Sequence, residues 1–184
     1  MSSSRNTIVR SLHDLGAAAW FGGSLMGAVG LNGASKDVSN PVERSKVASS
    51  GWGRWAPLSA VAIGAHLAGG AGLLLAHRGR VRSQAGVGAN TAVKTVLTVA
   101  ALGTTAYSGV LGAKLAKAGD DAYTEGGTVP GDATPDDVAA IQQRLRILQW
   151  ATPVLTGTLI VLGAQQGEQQ RPQEQARNWL KSVV

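Results

Sequence analysis

The sequence predicts an all-α fold: an integral membrane four-helix bundle with both termini on the same side. Three observations predict it. Four stretches, 15–35, 55–76, 95–113 and 147–167, contain no Asp, Glu, Lys or Arg, and they are 21, 22, 19 and 21 residues long. A helix rises about 1.5 Å per residue, so about 20 residues cross a hydrocarbon core about 30 Å thick. None of the stretches alternates with period two, which argues against a β-barrel. The charged residues are gathered into the connectors, so a mean hydropathy near zero conceals two very different kinds of segment. The 184 residues are read as a single membrane domain, 1–184.

Composition narrows the chemistry. There is no cysteine, so disulfides, thiolate metal sites and thiol nucleophiles are excluded. Seventeen basic residues against 11 acidic ones give a net charge of +6. That excess is what loops on the cytoplasmic side of a membrane carry, and no aromatic interleaving accompanies it, so nucleic acid is not an expected partner.

The first span, 15–35, follows Arg5 and Arg10. A cleaved signal peptide is the alternative there, but the run is long and Asn32-Gly33-Ala34-Ser35 is a poor cleavage site. Gly23 and Gly27 form a G-x-x-x-G pair, and Gly64 with Ala68 and Gly109 with Ala113 repeat the small-residue spacing. In lipid, small residues let helix backbones approach, so these pairs predict either tight packing inside the bundle or a homo-oligomer through Gly23/Gly27.

The first connector holds an Asn40-Pro41 turn and a short helical stretch over 42–50. Trp52 and Trp55 flank the second span, where tryptophan anchors the headgroup boundary. Beyond that span, Arg78, Arg80 and Arg82 crowd against its end. Basic residues total nine on the side of the termini and eight on the other, so the count alone decides little. The arginine cluster places the termini on the cytoplasmic side of the cytoplasmic (inner) membrane.

The third connector, about 119–134, is rich in Gly, Asp and Thr and predicts an exposed, mobile loop. Thr134-Pro135-Asp136-Asp137 reads as a helix start, with Thr134 as N-cap and acids in the first turn. The fourth helix therefore begins well before its apolar part. Pro153 within it frees the carbonyl of Gln149, and Thr152, Thr156 and Thr158 could satisfy that backbone. The tail carries Trp179 and Leu180, placed for a short interfacial helix over 175–184 or for a flexible end.

Groups able to do chemistry are few. No span contains a carboxylate, which argues against an ion-coupled pump. His66 lies near the middle of the second apolar run and needs a partner there. The bland reading is a neutral imidazole bonded to a Thr, a Tyr or a backbone carbonyl, and Thr104, Thr105, Tyr107 and Ser108 lie at comparable depth in the third span. His77 is eleven residues on, on the same helix face, and His13 sits at the start of the first span at nearly the depth of His77. His13, His66 and His77 are the candidate haem-binding residues; no metal site and no catalytic residue is predicted.

The stretch from Leu12 to Gly23, with His13 followed after six residues by Trp20-Phe21-Gly22-Gly23, resembles the first helix of several small bacterial membrane families. These are the copper-resistance-protein-D-like families and the haem-binding membrane protoporphyrinogen oxidases. The resemblance implies a four-helix membrane fold and a haem-associated histidine that would fall on His13. The Ala-, Gly- and Arg-rich usage looks like that of an actinobacterial membrane protein.

The expected role is that of an accessory or structural subunit, or scaffold, of a membrane assembly, rather than an enzyme. Its partners would be the lipid bilayer and other membrane-protein subunits. No cofactor is predicted on this reading. One alternative is a haem-binding or redox protein using His13, His66 or His77. Another is a small-solute transporter or channel.

Overall fold

The protein is described from a computed structural model covering residues 6–83 and 85–169. Arg5 and the proposed tail helix with Trp179 and Leu180 lie outside the described residues.

The fold is all-α, as predicted, apart from one small hairpin. Helix α1 is Thr7–Met26, prolonged by a π-helical turn over Gly27–Leu31, a helical turn over Asn32–Ala34 and a 3₁₀ turn over Ser35–Asp37. Helix α2 is Pro41–Ser83, α3 is Ala85–Lys117 and α4 is Asp136–Gln169. Between α3 and α4 strand β1, Thr124–Gly126, pairs antiparallel with β2, Val129–Pro130.

Among the described residues, three helices are long and apolar enough to cross a membrane, through Pro41–Ala76 of α2, Val87–Lys117 of α3 and Asp136–Gln165 of α4. The first segment does not meet that standard. Arg10 and Asp14 fall inside the regular part of α1, and the uncharged run after them is divided among α, π and 3₁₀ turns.

Two connectors are more helical than expected. The stretch 42–50 is not a separate helix but the start of α2, which runs on through Gly51, Gly53 and Pro57. Asn40 starts it: its side-chain Oδ1 accepts from the Val42 and Glu43 amides, at 2.9 and 3.4 Å, and Pro41 takes the first helical position. Packing carries the helix past its breakers. A Cβ at Gly51 would run into Leu31, so this part of α2 lies directly on the end of α1. The arginine-rich stretch after residue 76 likewise continues the helix to Ser83 rather than forming a loop.

The helices form a ring in which α1 packs on α2 and α4, and α3 packs on the same two. Neighbours are antiparallel. Trp20 of α1 meets Ala62 of α2 and Ala101 of α3, with Ile63, Leu102 and Leu155 around them. Phe21 lies against Gly157 of α4, and Asn32 bonds Gln149.

The interior is small and polar, while the outside is large and apolar. Buried positions include Ala17, Ala28, Ala48, Ala62 and Ala101, with Ser24, Asn32, Ser59, His66, Thr152 and Thr156 among them. Leu58, Val61, Leu75, Val96, Val99, Val110, Ile147, Val154 and Val161 are exposed. A protein folded by burying hydrophobic area in water has the opposite distribution.

The third connector is not the open loop its composition suggests. Ala122, Thr124 and Thr128 are buried, and Leu115, Ala122 and Val138 form a second small core with Ile141 and Leu145. The projecting start of α4 therefore has something to bury. Gly127, at φ +50°, turns the hairpin beside Asn32, and Arg44 donates to the Glu125 carbonyl at 3.3 Å and to the Val38 carbonyl at 2.6 Å. Lys46 pairs with Asp120 at 3.2 Å and Glu43 at 3.3 Å. Thr134 does not cap α4. Its hydroxyl donates to the Tyr123 carbonyl at 2.7 Å and accepts from the Gly131 amide at 3.0 Å, bracing the loop, while the first α4 turn is closed by the Ala139 amide on the Pro135 carbonyl.

Candidate functional site: a reciprocal histidine clasp

The structure brings His13 and His66 together. Nδ1 of His13 lies 3.0 Å from the His66 carbonyl oxygen, and Nδ1 of His66 lies 3.1 Å from the His13 carbonyl oxygen. The rings are stacked, with centroids 4.1 Å apart and planes 20° from parallel. A carbonyl oxygen can only accept, so both Nδ1 atoms must carry hydrogen. In the neutral rings that leaves each Nε2 with a lone pair.

Glycine makes the approach possible. A Cβ at Gly16 would lie 2.5 Å from both the Ala62 carbonyl oxygen and the His66 amide nitrogen. A Cβ at Gly69 would collide with the His13 amide nitrogen and lie 2.6 Å from the Val9 carbonyl oxygen. Each glycine follows a histidine by three residues: His13-Asp14-Leu15-Gly16 on α1 and His66-Leu67-Ala68-Gly69 on α2. On each helix the glycine faces the backbone at the other helix's histidine, which gives the crossing an approximate two-fold character. This repeated His-x-x-Gly was the signal in the sequence for Gly16 and Gly69. It is less conspicuous than the G-x-x-x-G pair.

That pair is occupied within the chain. A Cβ at Gly23 would fall inside the Trp55 ring, and one at Gly27 inside the Trp52 ring. The face proposed for self-association is thus covered by α2, and Trp52 and Trp55 serve as packing elements between helices. Gly64 and Gly109 have open space before them.

Three of the four third-span groups expected near His66 are engaged elsewhere. Thr105 accepts from the Trp20 indole at 3.1 Å, and Trp20 meets the His66 ring edge-on at a centroid distance of 6.2 Å. Thr104 bonds Thr152 at 3.2 Å, joining α3 to α4, and Tyr107 accepts from Arg144 at 3.3 Å. Ser108 Oγ is buried without a partner. His66, only 3% exposed, instead bonds α1, which is the backbone-carbonyl solution on an unexpected helix. His13 lies level with His66 and Gly69 rather than with His77. The side chain of His77 lies outside the described residues.

A second polar junction ties α1, α2 and α4. The Trp52 indole donates to Asn32 Oδ1 at 3.0 Å, Asn32 Nδ2 donates to Gln149 Oε1 at 2.6 Å, and Gln149 Nε2 donates to the Arg146 carbonyl at 3.1 Å. Near Pro153, Thr156 and Thr158 bond the carbonyls of Thr152 and Val154 at 2.8 Å, not that of Gln149.

The haem expectation can be set against this geometry. A haem held between His13 and His66 needs the two imidazoles on opposite faces of the macrocycle, and rings stacked on each other leave no room for it. A single axial ligand, through one Nε2, is compatible with Nδ1–H bonds to carbonyls, since such bonds commonly orient a ligating histidine. No group of three or more His, Cys, Asp or Glu side chains gathers among the described residues. Comparison with protein-family models, with curated proteins and with solved structures finds no match to the chain.

Proposed function

We propose that the chain is an integral protein of the cytoplasmic membrane, a four-span bundle with both termini cytoplasmic, acting as a structural or accessory subunit of a larger membrane assembly. The observation that carries this reading is the reversed distribution of side chains. Small and polar residues hold the helices together, and Leu, Val and Ile face outward. The antiparallel neighbours support a common side for the termini, and Arg78, Arg80 and Arg82 near one end of the ring support the cytoplasmic assignment.

The accessory role draws on two further features. The polar side chains of the interior, from His13 and His66 to Asn32, Gln149, Thr104 and Thr152, are spent on helix–helix contacts. Helix α3 is the least covered of the apolar helices, and Val96, Val99 and Val110 are exposed on it. Native mass spectrometry after mild detergent extraction, combined with a photo-crosslinker at Val99 or Val110, tests the role. Another membrane subunit in fixed ratio, crosslinked through α3, supports it. A monomer without crosslinks in every detergent overturns it.

A haem-binding role has one observation in its favour, the Nδ1–H bonds that leave the Nε2 lone pairs available. A Soret band in the purified protein that disappears in His66→Ala or His13→Ala would select it.

A further inference from the structure

On the outside of the ring, α3 and α4 are joined by an exposed polar bond. Arg144 of α4 reaches across the seam, and its Nη1 donates to the Tyr107 hydroxyl of α3 at 3.3 Å. That bond uses one of the five guanidinium N–H groups and leaves the phenol its own hydrogen to donate. Lys114 is exposed seven residues beyond Tyr107, two turns on along the same face of α3. Thr104 bonds Thr152, and Leu115 clusters with Val138, Ile141 and Leu145, so the antiparallel register sets Arg144 between the levels of Tyr107 and Lys114. Among the described residues neither Arg144 nor Lys114 makes an ion pair, whereas Lys46 is paired with Glu43 and Asp120. The acids closest to them along their own helices, Asp137 and Asp120, lie seven residues before Arg144 and six after Lys114, each on the side away from the uncharged run.

The uncharged runs set the depth of this cluster. Lys114 directly follows 95–113, and Arg144 comes three residues before 147–167. Cations at the ends of such runs stand level with the headgroups of a bilayer. Toward the middle of the span the same face turns apolar and small. Gly103 and Val96, four and eleven residues before Tyr107, are exposed, and a Cβ at Gly103 would meet nothing within 4 Å. On the α4 side Leu148, one turn on from Arg144, is half-buried. The seam is a shallow apolar groove with two cations and a phenol at its mouth.

We propose that this groove binds one anionic phospholipid: the headgroup phosphate accepts from the Arg144 guanidinium, the Tyr107 hydroxyl and the Lys114 ammonium, and an acyl chain lies over Gly103. Charge and depth select that occupant. A phosphate matches the guanidinium fork and neutralises cations that have no carboxylate of their own. A phospholipid also carries its charge at headgroup depth with its apolar part beneath, in the same order as the donors and the groove. The inference rests on the chain spanning a membrane, and not on its having a partner subunit.

The test is lipid retention by the full chain in mild detergent, read by native mass spectrometry. On titration with dioleoyl phosphatidylglycerol one adduct should fill before others appear, and dioleoyl phosphatidylcholine should bind more weakly. Arg144→Gln should weaken that first adduct by about tenfold, while Arg146→Gln, the same charge loss on another face of α4, should change it by less than about twofold. Gly103→Leu, which alters no charge, should also weaken it by filling the groove, and excess inorganic phosphate should leave it in place. Equal binding of the two lipids, equal effects of Arg144→Gln and Arg146→Gln, displacement by inorganic phosphate, or a bound protein in place of the lipid would each overturn the proposal. Carbonate washing of membranes separates the two readings: a chain released by carbonate refutes the spanning, and a retained chain without the adduct refutes the lipid site alone.

Discussion

Replacing Gly16 by alanine adds one methyl group at the closest contact of α1 and α2. That carbon would sit 2.5 Å from the Ala62 carbonyl oxygen and the His66 amide nitrogen, and 3.0 Å from His66 Cα. Ordinary contacts are about 3.5 to 4.0 Å, so the helices must part by roughly 1 Å. All three atoms are backbone, so no side-chain rotation can make room. Overpacking of this kind costs about 1–3 kcal/mol. The displacement also stretches the two Nδ1–H bonds of the clasp, each worth about 0.5–1.5 kcal/mol net. Alanine's helix propensity returns about 1 kcal/mol. The expected net loss is about 1–5 kcal/mol. Gly64→Ala on the facing helix is the matched control, because nothing lies before Gly64. It should be neutral, or more stable by up to about 1 kcal/mol. Reversible denaturation in detergent, followed by far-ultraviolet circular dichroism, measures both. Equal stability of Gly16→Ala and Gly64→Ala would refute the close-contact reasoning.

Gly27→Leu should lower stability by displacing the Trp52 ring, with no change in copy number by native mass spectrometry; a dimer lost in this variant would show that the G-x-x-x-G face works between chains. Asn32→Ala removes the acceptor of Trp52 and the donor to Gln149, leaving both without that partner, and should cost about 1–3 kcal/mol in the same denaturation assay. The cysteine-free chain permits single-site labelling from outside intact spheroplasts: Glu125→Cys should react with a membrane-impermeant maleimide, and Arg78→Cys only after permeabilisation. The reverse pattern would invert the proposed topology.

The helices were legible in the sequence because uncharged length is a property of single segments. The contacts between them were not, because they depend on which segments meet. The pattern Gly23–Gly27 correctly marked a close approach, but nothing local indicates that indole rings from Trp55 and Trp52 fill the space. His66 was identifiable as a buried polar group requiring a partner, yet its partner is the backbone of α1, and every residue has a carbonyl. Depth estimates also failed locally. Counting from the uncharged run put His13 near His77, whereas α1 is helical from Thr7 and brings His13 level with His66. In the third connector, Gly and Asp content predicted an open loop. Leu115, Ala122 and Val138 instead bury one another, since α4 starts eleven residues before its uncharged run.

In water, helices of this kind would associate by removing Leu and Val from solvent. Here those residues face outward, so the apolar area contributes little to choosing one helix pairing over another if lipid surrounds it. Selection then falls to the contacts that only one arrangement can make. Each of three helix pairs has a distinct one: His13 with His66 for α1 and α2, Thr104 with Thr152 for α3 and α4, and Asn32 with Gln149 for α1 and α4. The α2–α3 pair shows no comparable side-chain bond among the described residues, and its common ground is the contact of Ala62 and Ala101 through Trp20. Among the described residues, then, α2–α3 is the joint with the fewest polar side-chain bonds, and α3 is the apolar helix with the smallest buried share. A subunit that must accommodate a neighbour without disturbing its own clasp would have its adaptable surface there.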